Sequence, residues 1–164
     1  MNTRTNNRPV RSGWQTAARL GQAAWFFGNL YEGLVGVPQL LAHAQPRRAP
    51  GLIAPGSPIR YYAPAAPLAF GATTVTLVNR WHSGGDRRLI TATAVSTTAA
   101  AGLTAYLIRS VNLRLLTSDE PLSAQDRDRL IATWHRTNAV RLVALAVASV
   151  SLSSLASQRS RPSV

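Results

Sequence analysis

Three groups of polar side chains in this alanine-rich chain have the types and spacing to do chemistry, and each stands beside an apolar run. The first is Trp134-His135-Arg136-Thr137-Asn138-Ala139-Val140-Arg141, directly before "LVALAVASVSLSSLA". On a continuous helix Leu130, Trp134, Asn138 and Arg141 fall at i, i+4, i+8 and i+11, one face, with His135 one step around. Indole, amide and guanidinium then project together as a wall and a donor array, and an imidazole beside them is suited to taking or giving a proton near neutrality. The second group centres on Glu32, which shares a helical face with Trp25, Asn29 and Gly36. A lone carboxylate in hydrocarbon costs at least about 2.5 kcal/mol, so it must face protein or water. Either it pairs with an arginine of another helix and locks a bundle, or it belongs to a polar cavity that binds substrate or moves a proton. The third group is Tyr106, Arg109 and Asn112 at i, i+3, i+6, followed by Arg114. Interface anchoring, with Trp134 in an aromatic belt and arginines on lipid headgroups, is the competing reading of the first and third groups.

The elements that must position these groups follow from composition. The chain has 164 residues, 46% hydrophobic and only 15% charged. All 18 basic residues are arginine against six acids, a formal net charge of +12. Such a balance invites a nucleic-acid partner. The arginines instead gather at 4 to 19, 47 to 60, 80 to 88, 109 to 141 and 159 to 161, as caps on neutral runs, and nucleic acid is excluded on that distribution. Cysteine is absent, and the three histidines (43, 82 and 135) stand apart from any carboxylate cluster, so no metal site is expected.

Four stretches have the roughly 17 to 25 mainly apolar residues of a membrane span: about 20 to 44, 61 to 80, 89 to 108 and 139 to 157. Three are crowded with Ala, Gly, Ser and Thr. Small residues four apart, such as Thr93, Thr97 and Ala101 or Ala92, Ser96 and Ala100, let helix backbones approach closely in lipid. The expected fold is all-α, an integral membrane four-helix bundle over residues 19 to 158, with a mobile basic tail at 1 to 18 and a short tail at 159 to 164. "QPRRAPGLIAPGSPIR" at 45 to 60 reads as an extended loop and "WHSGGDRR" at 81 to 88 as a short turn between antiparallel neighbours. Ser123-x-x-Asp126 resembles a capping box, starting a helix that runs unbroken into the last span. The apolar stretch before "AHAQ" is too long for a signal peptide and is interrupted by Asn29 and Glu32, so a retained first helix is expected. In an N-in, C-in arrangement the arginines divide nine and nine; the outer loops are longer and some of their arginines face the bundle, which favours a cytoplasmic N-terminus in a bacterial cell membrane. By this topology the ends of helices one (His43) and three and the beginning of helix four share one side, forming a polar mouth.

"VNLRLL" at 111 to 116, an acidic linker, the Trp134-x3-Asn138-x2-Arg141 spacing and a final small-residue helix, together with "FFGNLYEGLVGVPQLL" in the first, resemble the anthrone oxygenase-like family of small four-helix membrane proteins, many of whose members carry only a domain-of-unknown-function label. The resemblance covers most of residues 20 to 157; the Pro-rich loop and the basic head lie outside it. It implies oxidation of an anthrone to an anthraquinone by molecular oxygen without metal or flavin. That chemistry asks for a base, donors for the resulting anion and flat walls for a polycyclic substrate. The implied roles are His135 or Glu32 as base, Asn112, Asn138 and Arg141 as donors, and Trp25 and Trp134 as walls, with Asn29, Tyr106 and Arg109 lining the substrate site. No cofactor is expected; the partners are the lipid bilayer and a small aromatic substrate. A non-catalytic scaffold or accessory subunit, with the polar residues as interhelical glue, is the rival reading. A small dimeric transporter using Glu32 as its coupling acid is another.

Overall fold

The computed structural model describes residues 8–36, 58–114 and 123–158, and these are helical apart from short turns and caps. Helix α1 spans Arg8–Tyr31 and continues into a π-helical turn at Glu32–Gly36. Helix α2 is Pro58–His82, and α3 is Arg87–Leu107, continuing into a second π turn at Ile108–Asn112. Helix α4 runs without a break over Ala124–Ser157, 34 residues or about 51 Å.

Local chemistry sets the ends. Proline at the first position of α2 lacks only an N–H that a helix start leaves unpaired anyway. At the other end of α2, Gly84 adopts φ 74°, and the amides of Gly85 and Gly84 return to the carbonyls of Arg80 (2.8 Å) and Trp81 (3.4 Å), a Schellman closure. Asp86 then caps α3 by accepting from the Arg88 and Leu89 amides. Ser123 caps α4 as its spacing predicts: the Asp126 amide donates to Ser123 Oγ at 3.1 Å, and Ser123 Oγ donates to the Asp126 carboxylate at 2.6 Å.

The helices close a ring in which α1 packs on α2, α2 on α3, α3 on α4 and α4 back on α1. Its interior is layered. Trp25, Ala69, Ala100 and Leu145 form one apolar layer, Ala18, Ala72 and Leu152 another, and Leu77, Ile90 and Leu155 a third. Between them lie buried polar side chains, including Gln22, Asn29, Thr73, Thr97, Asn138 and Arg141. The outside is the reverse: Leu20 and Phe27 on α1, Leu34 in the turn after it, Val95 on α3 and Val143 and Val150 on α4 are more than half exposed.

Two expectations change. Helix α1 starts at Arg8, inside the segment that its polarity marks as a tail. Ala18 is fully buried against Ala72 and Leu152, and Gln15 Oε1 accepts from Arg80 Nη2 at 3.4 Å; these tertiary contacts hold the segment. Of the four expected spans, among the described residues only Ala124–Ser157 is long and apolar enough to cross a membrane by length and composition. The Thr and Ala of α2 and α3 are weakly apolar, and the first expected span carries Gln22, Asn29 and Glu32. Of the loop expected at 45 to 60, residues 58 to 60 instead open α2, while 45 to 57, His43 and the 159 to 164 tail lie outside the described residues.

The close approach of α1 to α2 at Gly21 gives a test. A Cβ on Gly21 would lie 2.7 Å from Ala69 Cβ and 2.9 Å from Ala69 Cα, which is backbone and cannot turn aside. Gly21→Val is expected to force α1 from α2 and lower stability by about 1–3 kcal/mol, measured by thermal unfolding in detergent. Gly102→Ala, which meets nothing within 4 Å, serves as the control and should be neutral or stabilising by up to about 1 kcal/mol.

Candidate functional site

Three helices bring polar side chains to one place near the ends of α1 and α3. From α4, Asn138 and Arg141 point inward, 3% and 4% exposed, as their shared helical face requires. Asn138 Oδ1 accepts from Arg141 Nη2 at 2.7 Å and from Arg141 Nε at 3.1 Å. This paired acceptance fixes the plane of the guanidinium. From α3, Thr104 Oγ1 accepts from Arg141 Nη1 at 3.3 Å and itself donates to the Ala100 carbonyl at 2.8 Å. From α1, the Asn29 carbonyl accepts from Asn138 Nδ2 at 3.2 Å, and Asn29 Nδ2 donates to the Trp25 carbonyl at 2.6 Å.

Glu32 opens the π turn that follows α1, and its Oε2 lies 3.8 Å from Arg141 Nη2, an ion pair between largely buried partners. The distance exceeds that of a direct charge-assisted hydrogen bond. Gly33, next to it, makes this geometry attainable: a Cβ there would come within 2.9 Å of Asn138 Nδ2. The two π turns, at Glu32 and at Ile108, end the two helices that frame the cluster, in keeping with the tendency of such turns to occur at functional positions. The arrangement sets a fixed cation, held by an amide and a hydroxyl, beside one carboxylate, with the carboxylate at a break in helical hydrogen bonding.

The remaining residues singled out by sequence divide. Trp134 is buried with Leu107, Val111 and Leu130, forming the apolar side of the cluster, and Trp25 is buried in the layer beyond Asn29. His135 is exposed and stands edge-on to Trp134, with ring centroids 5.3 Å apart, outside the cluster. Tyr106 is half-exposed and Arg109 is exposed, and neither joins it. Asn112 belongs to the π turn by its backbone, but its side chain lies outside the described residues. Among the described residues no three His, Asp or Glu side chains converge on a point that could hold a metal ion.

Sequence reasoning missed Thr104, Gly33 and Gln22. The Thr93, Thr97, Ala100, Thr104 spacing carried a signal for Thr104, because the first three are buried and define the inner face of α3. Gln22 precedes Trp25 by three and Asn29 by seven residues, on the same face.

A family model for anthrone oxygenase matches residues 59–151, more than half of the 164-residue chain. The matched segment carries Thr104, Asn138 and Arg141, while Asn29 and Glu32 precede it. No curated protein and no solved structure matches the chain.

Proposed function

The chain belongs to the anthrone oxygenase family, and on that premise we propose that it is a multi-pass membrane protein that oxidises a flat aromatic substrate with molecular oxygen, without a cofactor. The observation that carries the reading is the Arg141 guanidinium held by Asn138 and Thr104 beside the Glu32 carboxylate inside the bundle. The large apolar side chains on the ring's exterior and the polar side chains buried between its apolar layers suit a lipid solvent, in which hydrophilic side chains turn toward one another.

In this mechanism Glu32 takes a proton from the substrate's activated methylene. The charge passes from carboxylate to substrate, and the fixed Arg141 guanidinium pairs with each anion in turn. The charge of the site is conserved, which spares the cost of an uncompensated buried ion. Asn138 and Thr104 act by positioning Arg141, with Trp134 and Trp25 as the flat walls. The substrate carbanion adds to dioxygen, takes back the proton from Glu32 as a hydroperoxide, and loses water. The balance is CH2 plus O2 giving C=O plus H2O.

Purified protein in nanodiscs should accelerate anthraquinone formation from anthrone above the spontaneous rate, with matching oxygen uptake. Glu32→Gln should lower the protein-dependent rate by about 10²–10⁴-fold, the usual contribution of a positioned base. His135→Ala should leave it within about threefold, since the imidazole lies outside the cluster. Rates equal to the protein-free control would end the oxygenase reading. One observation favours a second reading, a non-catalytic bundle with these groups as interhelical glue: Asn138 spends both amide atoms on protein partners. That reading expects Glu32→Gln to shift only the melting curve.

A further inference from the structure

Nearer the Arg80 end, α1, α2 and α3 enclose a second polar site beyond the Trp25 layer. Its centre is Gln22, 0% exposed. Gln22 Nε2 donates to Thr73 Oγ1 at 3.1 Å and to Thr97 Oγ1 at 3.1 Å, so one amide ties three helices together. The antiparallel hairpin that sets Thr73 across from Thr97 also carries Thr76 and Thr93, both buried, on its inner side. The hydroxyls of Thr76 and Thr93 each donate to a carbonyl of their own helix, at 2.8 Å, which keeps their lone pairs for other donors.

Gln22 Oε1, in contrast, has no hydrogen-bond partner among the described residues. Rotating the amide by half a turn exchanges which atom is left over and does not remove the surplus. A buried carbonyl without a donor is costly enough that native interiors fill such positions. The chemistry of the position selects what fills it. An anion is rejected by an acceptor, and a hard cation needs about six oxygens, where an amide and threonine hydroxyls supply fewer. The close approach of α1 and α2 at Gly21 and Ala69, one residue from Gln22, suits a small occupant. What remains is a molecule of one heavy atom that both donates and accepts, with two or more polar neighbours.

We propose that Gln22, Thr73 and Thr97 form a buried hydration site that binds one water molecule, which donates to Gln22 Oε1 and bonds a threonine hydroxyl. The site is independent of the oxygenase reading, since it uses none of the cluster around Arg141. Its water replaces the lost solvation of the amide and completes the tie between α1 and the α2–α3 hairpin.

The test is solution NMR of the isotope-labelled full chain in deuterated detergent, with rotating-frame transfer from water. Cross-peaks from water to the Gln22 side-chain amide protons and to the Thr73 and Thr97 methyls are expected. Gln22→Met, of similar volume and without the amide, should abolish the threonine cross-peaks and leave shifts around Arg141 in place. Thr97→Val serves if the methionine variant does not fold, and should abolish or weaken the peak at Gln22 at least severalfold. Transfer to Gln22 from threonine protons alone, with no water peak in the wild type, would overturn the proposal. So would threonine–water peaks that persist in Gln22→Met.

Discussion

Arg141→Ala is expected to be the most damaging single truncation in the bundle, lowering stability by about 3–5 kcal/mol, the range for removing one partner of a buried ion pair. The guanidinium is 4% exposed and supplies the counter-charge to Glu32, two donors to Asn138 Oδ1 and one to Thr104 Oγ1. Without it, a largely buried carboxylate has lost its ion-pair partner and the Asn138 carbonyl oxygen has lost both donors. Most of that cost belongs to what is left behind. Glu32→Gln, which removes the stranded charge, should therefore recover part of the loss, so that the double variant is more stable than Arg141→Ala alone. The check is a double-mutant cycle by denaturant titration in mixed micelles. A coupling energy of at least about 1 kcal/mol between positions 32 and 141 is the expected result. An Arg141→Ala protein within about 0.5 kcal/mol of wild type would show that the ion pair and its amide partner do not hold the bundle. The same outcome would leave the Glu32–Arg141 charge exchange without its geometric basis.

The legibility of this site follows the reach of local periodicity. Asn138, Arg141 and Trp134 could be placed on one face because Ser123 starts a helix with no break before Ser157, so one angular rule governs all three. The same rule set Asn29 with Trp25, and Glu32 falls where the helix hands over to its π turn. It could not name partners across helices. Nothing in the sequence says which helix Thr104 meets, and the need for glycine at position 33 appears only once Asn138 stands against it. His135 shows the limit on a single helix: one step from Trp134 is about 100° of rotation, enough to leave the buried stripe. For Tyr106 and Arg109, spacing gave a common face but not which side of α3 it was. Arg109 also falls within the π turn, where the i→i+4 rule no longer sets angles. The all-helical architecture was legible from four apolar runs and their breakers. The solvent around it is a different matter, since Thr- and Ala-rich helices sit near the boundary between a soluble core and a membrane span.

That solvent can be tested on the outward face of α4. Val140, Val143, Val147 and Val150 lie at i, i+3, i+7 and i+10 and are 59%, 65%, 43% and 66% exposed. In water, lysine at such positions changes stability by no more than about 0.5 kcal/mol and improves solubility. In lipid, a lysine near the centre of a span costs about 2.5–3.5 kcal/mol on insertion scales, and two of them should roughly double the penalty. Val147→Lys/Val150→Lys is therefore expected to collapse the membrane-inserted fraction at least tenfold, read by carbonate extraction of expressing cells. Ala132→Lys, exposed near the start of the same helix, should leave insertion unchanged, since a lysine near a span's end reaches the interface. On the proposed membrane reading, the valine stripe, which no other described helix covers, meets hydrocarbon. A double-lysine protein that folds and stays monodisperse in the detergent-free aqueous fraction would reverse this reading. It would make the buried polar clusters the core of a water-soluble bundle.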